Sequence, residues 1–235
     1  MLLSGGVFGQ EKTETLEMTG HFGGRKALLA LYSMQRVDGG WHVTGEYIVL
    51  PTLARRFLEG ERGPELGVTT LQEGASPIFF GRQASGELRG TLRGGVFKGT
   101  RYGPGGQERE NFEFTDEFPS MDAYTAAVSC EVGVDARYAS KLAYTVEAGK
   151  ARSLEWTSSV APGGHQCAVK AVEQKPLRGG LRFSSGRCAI TLREVGDYVK
   201  VDSENCAAAC GSGAYLEPML VDRRGNCQLL RPEGK

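Results

Sequence analysis

Apolar and polar residues alternate along the chain in short runs punctuated by glycine, a period of two that predicts β-strands with one buried face. KALLALYSM (26–34) is followed by Asp38, Gly39 and Gly40 and then by WHVTGEYIVL (41–50), where Trp41, Val43 and Gly45 alternate with His42 and Thr44; this reads as a hairpin. Further strand-like segments are LGVTTLQEG (66–74), PIFFGR (77–82), GELRGTL (86–92), GVFKGTRY (95–102) and, after the turn GPGG (103–106), QERENFEF (107–114). GELRGT from Gly86 and GVFKGT from Gly95 repeat at a spacing of nine residues. That is one strand plus one tight turn, so the copies pair as neighbours in an antiparallel meander; a parallel crossover needs a dozen or more linking residues. The interior glycines predict bulges or sharp curvature, as in a barrel or strongly twisted sheet. LARRFLEGER (53–62) reads equally as a helical turn or a charged loop.

The pattern breaks at FPSMDAY (118–124), with a proline and a Ser-x-Asp turn. A boundary there gives a glycine-rich antiparallel β domain over 11–119 and a cysteine-containing β-rich domain over 120–235. The second part offers strands at 142–149, 152–159, 166–173, 180–185, 187–194 and 197–204, while MDAYTAAVSCEV (121–132), rich in alanine, is its best helix candidate although its Tyr, Thr and Val residues also suit a strand, and DARYASKLAY (135–144) suits either state. The expected fold is mainly β, a meander or barrel-like domain followed by a disulfide-stapled β module.

Composition narrows the functional classes. A 40% apolar, 24% charged chain is globular, and 34 glycines in 235 residues suit many tight turns. Lys plus Arg equals Asp plus Glu at 28 each, so no net field steers the protein to nucleic acid or to an anionic membrane. No stretch approaches the roughly 18 consecutive apolar residues of a spanning helix. The opening MLLSGGVFGQEKTE runs apolar and small before turning polar, like a truncated signal peptide with Val7 and Gly9 before a cleavage at Gln10; an ordinary N-terminus reads as well.

All six cysteines, Cys130, Cys167, Cys188, Cys206, Cys210 and Cys227, fall in the second half. An even number crowded into one part suits disulfides formed in an oxidising, periplasmic or secreted setting, with buried thiols and zinc as alternatives. The 16 residues between Cys210 and Cys227 contain LEPML and the turn DRRGN, so a hairpin would bring these two together. Cys130, Cys167, Cys188 and Cys206 would then pair among themselves, Cys188 with Cys206 first, across a turn at Gly196 and Asp197.

No phosphate loop, dinucleotide fingerprint, H-E-x-x-H or G-x-S-x-G motif occurs, and nothing calls for a cofactor or metal. His21, His42 and His165 lack an orienting partner in sequence, and His42 and His165 read as a solvent-facing and a turn residue. Asp and Glu are scattered, leaving a hydrolase with a carboxylate pair assembled in three dimensions as the enzymatic alternative. Arg82, Arg89, Arg93, Lys98 and Arg101 read as outward or turn positions interleaved with Glu87, Glu108 and Glu110. Such a face is either a solvated mixed-charge surface or a docking face, with Arg89 and Arg101 as partner-binding candidates.

The string from Cys188 to Cys227 contains a Cys-led strand, the Val199-Lys200-Val201 strand, Cys206-x-x-x-Cys210-Gly211 and Tyr215. Over these roughly 40 of 235 residues it resembles the closing cysteine-containing β module of small periplasmic bacterial proteins, including the periplasmic inhibitors of animal-type lysozyme. In those inhibitors a Ser-Gly-rich loop ending in Tyr enters the target's active-site cleft. Ser212-Gly213-Ala214-Tyr215 is similar, with one residue fewer between Gly and Tyr, and the resemblance implies partner-binding roles for Ser212, Gly213 and Tyr215. Read from its residues alone, the segment is a disulfide-pinned hairpin turn with Gly211 and Gly213 at positive φ and Tyr215 returning to the core. The expected function is a periplasmic or secreted non-enzymatic binding protein with a protein partner, an inhibitor or immunity-type partner of a cell-wall hydrolase.

Overall fold

A computed structural model of the chain describes residues 12–63, 67–75, 84–134, 137–162, 164–171, 173–175, 177–210 and 214–230. The N-terminal segment read as a leader remnant, PIFFGR (77–82) and Ser212 and Gly213 lie outside them. The chain divides into two compact units, Met1–Asp116 and Glu117–Lys235. Among the described residues regular structure is β apart from short 3-10 turns at Pro104–Gly106 and Cys206–Ala209, and no helix is long and apolar enough to cross a membrane.

The first unit is a closed barrel of eight antiparallel strands in sequence order: β1 (Thr13–Phe22), β2 (Arg25–Gln35), β3 (Trp41–Val49), β4 (Ala54–Arg62), β5 (Val68–Gly74), β6 (Gly86–Arg93), β7 (Val96–Tyr102) and β8 (Arg109–Thr115). Pairing of β1 with β8, from Thr19 opposite Thr115 to Phe22 opposite Phe112, closes the ring. Alternation sends Met18, Phe22, Leu29, Leu31, Tyr47, Leu71, Leu88, Phe97, Phe112 and Phe114 inward, where they fill the bore. Phe22 meets Tyr47 at 4.6 Å and Phe97 meets Phe112 at 4.7 Å between ring centroids, in tilted arrangements.

Inward glycines explain how a small barrel closes. A Cβ at Gly60 would stand 2.0 Å from the Thr70 carbonyl oxygen, and one at Gly99 would stand 2.0 Å from that of Arg89. At both positions the neighbouring backbone occupies the space a side chain would take, as tightly curved sheets require. The repeated GELRGT and GVFKGT motifs form β6 and β7, with Gly90 directly opposite Gly99.

Of residues 53–62, expected as a helical turn or charged loop, Ala54–Arg62 form β4 instead. The strand was hidden because its inward face carries Arg56 and Arg62 beside Leu58 and Gly60; inside, these arginines find Glu73 and Glu14 as partners. The helix candidate at 121–132 is likewise overturned, since Ala126–Val134 is a strand. There Ala126, Val128, Cys130 and Val132 share the buried parity, and pairing with a neighbouring strand overrides alanine's helix preference.

The second unit has a four-stranded sheet ordered β12-β11-β10-β9 and a six-stranded sheet ordered β13-β14-β15-β16-β17-β18. The strands are β9 (Ala126–Val134), β10 (Tyr138–Glu147), β11 (Lys150–Val160), β12 (His165–Ala171), β13 (Glu173–Lys175), β14 (Leu181–Ser185), β15 (Cys188–Val195), β16 (Tyr198–Glu204), β17 (Met219–Asp222) and β18 (Cys227–Leu229). Both sheets contribute to one core, Leu142, Tyr144, Leu154, Trp156 and Val169 from the first and Phe183, Ile190, Leu192, Val201 and Met219 from the second, so they form a sandwich. Trp156, fully buried, donates its indole N–H to Ser140 Oγ at 2.9 Å.

Three disulfides join Cys130 to Cys227, Cys167 to Cys210 and Cys188 to Cys206. The expected Cys188–Cys206 pair is present, but Cys210 does not pair with Cys227. The β17–β18 hairpin places Cys227 opposite Val221, and the chain at Cys210 instead forms a bridge with Cys167. Cys227 therefore reaches Cys130 on β9, with Cα atoms 5.9 Å apart, tying the two sheets together.

Candidate functional site

Tyr215 follows the stretch in which the Cys167–Cys210 disulfide fixes the chain against β12. Its carbonyl accepts a hydrogen bond from Ser158 Oγ on β11, and the next carbonyl, Leu216, accepts one from Ser203 Oγ on β16 at 3.3 Å. The Glu217 N–H then donates to the Tyr138 hydroxyl at 3.1 Å. These anchors hold the main chain to both sheets of the sandwich. The Tyr215 ring stacks on Tyr138, centroids 5.5 Å apart and planes 21° apart, and remains 46% exposed. The reading in which Tyr215 returns to the core is thus corrected: Tyr138 is buried, and Tyr215 lies over it facing solvent. Ser212 and Gly213, the other residues of this candidate loop, lie outside the described residues.

On the barrel the two arginine candidates separate. Arg89 is on the outer face of β6, 62% exposed along its side chain and paired with Glu87. Arg101, expected outward, points inward: Phe97, Gly99 and Arg101 share one parity of β7, and the same alternation turns Lys98 out. An inward arginine needs a partner, and Arg101 Nε and an Nη donate to the two carboxylate oxygens of Glu73 at 2.7 and 2.9 Å. Arg93 and Lys98 are exposed, and Arg82 lies outside the described residues.

Glu73, missed in the sequence, has no exposed surface. Besides Arg101 it accepts from the Tyr47 hydroxyl at 2.6 Å and Ser85 Oγ at 3.2 Å, and Arg56 Nε stands 3.7 Å away. Burial, the largest influence, pushes its carboxyl pKa up, but hydrogen bonds from Arg101, Tyr47 and Ser85 with the Arg101 charge outweigh it and hold the group below the ordinary glutamate range. Tyr47 is pushed the other way, above the usual phenol value, by its burial and by the adjacent carboxylate. Glu73 is therefore a clamp held in its charged form at neutral pH among β3, β4, β5 and β7, the opposite of the raised pKa a general acid needs. The parity of Thr69, Leu71 and Glu73 in LGVTTLQEG was the signal that could have found it.

The histidines are peripheral. His21 and His165 are exposed, and His42 Nε2 lies 3.6 Å from Glu59 on the barrel's outer face. Among the described residues no three His, Cys, Asp or Glu side chains gather as a metal site. Comparison with family models, with curated proteins and with solved structures found no match to this chain.

Proposed function

We propose that this is a non-enzymatic binding protein of a periplasmic or secreted setting, whose second unit presents Tyr215 to a protein partner, a cell-wall hydrolase being the specific candidate. One observation carries the reading: an aromatic ring kept half-exposed on a buried tyrosine, on a backbone anchored to both sheets. An amphipathic side chain immobilised before binding loses little entropy on docking, which is how aromatic anchors dominate protein interfaces. Three disulfides suit an oxidising compartment. The resemblance of the Ser212–Tyr215 segment to the finger of periplasmic lysozyme inhibitors supplies the partner class.

Calorimetric titration of the full-length oxidised protein against an animal-type lysozyme tests this. Binding is expected, and Tyr215→Ala, with its circular dichroism unchanged, is expected to weaken the complex by about 2 kcal/mol, roughly thirtyfold. Absence of binding by the parent chain, or equal binding by the folded variant, overturns the reading.

A further inference from the structure

The outer face of the barrel carries a second feature, independent of Tyr215. Where β5 to β8 approach the Gly103–Gly106 turn, a groove of about 450 Å³ is lined by Gln72, Glu87, Arg89, Tyr102 and Arg109 and by the turn itself. That volume lies within the roughly 300–1,000 Å³ of small-ligand sites. Glu87, Tyr102 and Arg109 stand side by side on adjacent strands, since Tyr102 is paired with both of the others. The guanidinium carbons of Arg89 and Arg109 lie 5.1 and 5.6 Å from the Tyr102 ring centroid. Both cations are thus held against one aromatic ring.

The two arginines differ in what their forks hold. Arg89 grips the Glu87 carboxylate through Nε and an Nη. Arg109 makes no ion pair among the described residues, and the neighbouring Glu108 turns its carboxylate toward Gly103, where an added Cβ would meet Oε2 at 2.7 Å. The groove therefore contains one filled carboxylate fork beside an open one. With Arg89 occupied by Glu87, the fork left to receive a ligand is the single guanidinium of Arg109, whose planar pair of N–H donors matches the two oxygens of one carboxylate.

We propose that this groove binds a peptide carboxylate, received by Arg109 against Tyr102. The carboxylate comes from a chain terminus or from an acidic side chain. Full-length oxidised protein is titrated with three short Gly/Ser peptides: one with a free C-terminal carboxylate, one amidated with a central Glu, and one amidated with Gln there. Arginine Nε–H signals and the Gly103, Gly105 and Gly106 amides are followed by NMR. Both carboxylate peptides, or one of them, are expected to shift the Arg109 and glycine signals saturably at about millimolar concentration, while the Gln peptide does not; the stronger ligand identifies the source. Arg109→Gln is expected to weaken this binding about tenfold or more, and Arg93→Gln, an exposed change outside the groove, to leave it intact. No shift with either carboxylate, equal shifts with the Gln peptide, undiminished binding by Arg109→Gln, or tighter binding of inorganic phosphate overturns the proposal.

Discussion

Glu73 shows how a single inward charge organises its surroundings. Its carboxylate, enclosed in the barrel, is tolerable because Arg101, Tyr47 and Ser85 supply donors to both oxygens. Glu73→Gln keeps the shape but leaves Arg101 inside the barrel without its counter-charge, so the first unit is expected to lose about 3 kcal/mol at neutral pH, read by urea unfolding. The pH dependence has a definite sign. Because the folded pKa lies below the ordinary glutamate value of about 4.3, Glu73 adds stability above that value and loses it as pH falls through its folded pKa. The variant should therefore have a flatter acid limb than the parent; identical limbs would show that Glu73 is not linked to acid unfolding. The inward side of Arg101 is set at this same scale by strand parity. Lys98 and Arg101 differ by an odd number of positions, so an unbroken strand sends them to opposite faces, and Phe97 already marked which face is inside.

At the scale of elements, alternation was readable wherever one face is apolar. The hairpin of β2 and β3, the repeat forming β6 and β7, and most strands of the second unit follow directly from their residues. It failed where the inward face is charged, as in β4, and where local propensity opposes the sheet, as in β9. Glycine carried more information than its turn-forming habit suggests, because several glycines sit mid-strand where another backbone presses close. Gly60→Ala and Gly63→Ala provide the contrast: Gly60 faces a carbonyl oxygen 2.0 Å from the added carbon, whereas Gly63 meets its nearest atom at 3.7 Å. The first substitution is expected to cost about 3 kcal/mol or more. The second should stay within about 0.5 kcal/mol, both read from denaturation midpoints. Equal losses would mean that the close approach at Gly60 is not what demands glycine. Disulfides divide along similar lines: Cys188 and Cys206 are joined across a local hairpin that sequence spacing suggested, while the other pairs depend on how two sheets stack, which spacing does not encode.

For the whole molecule, the two units rest on different stabilising devices. The barrel closes on itself without cysteines; the sandwich is fastened by three disulfides. Each unit also has one tryptophan, Trp41 and Trp156, so Trp→Phe variants report on them separately. Reduction is expected to lower the melting temperature seen by Trp156 and to spare that seen by Trp41; a matching fall at both would mean the barrel depends on the disulfides. The widest of them, Cys130–Cys227, spans 97 residues, so by unfolded-chain entropy its removal alone as Cys130→Ala with Cys227→Ala should cost about 4–5 kcal/mol. That bond links the first strand of the sandwich to its last, making residues 130–227 a covalent ring. A protease that cuts one peptide bond within the ring opens it without releasing a piece: the nicked chain keeps its full mass on a non-reducing gel and separates into fragments only when thiol is added. Damage to an exposed loop of this unit is thus converted from loss of a segment into a repairable-looking scar, with the pieces held beside their native neighbours.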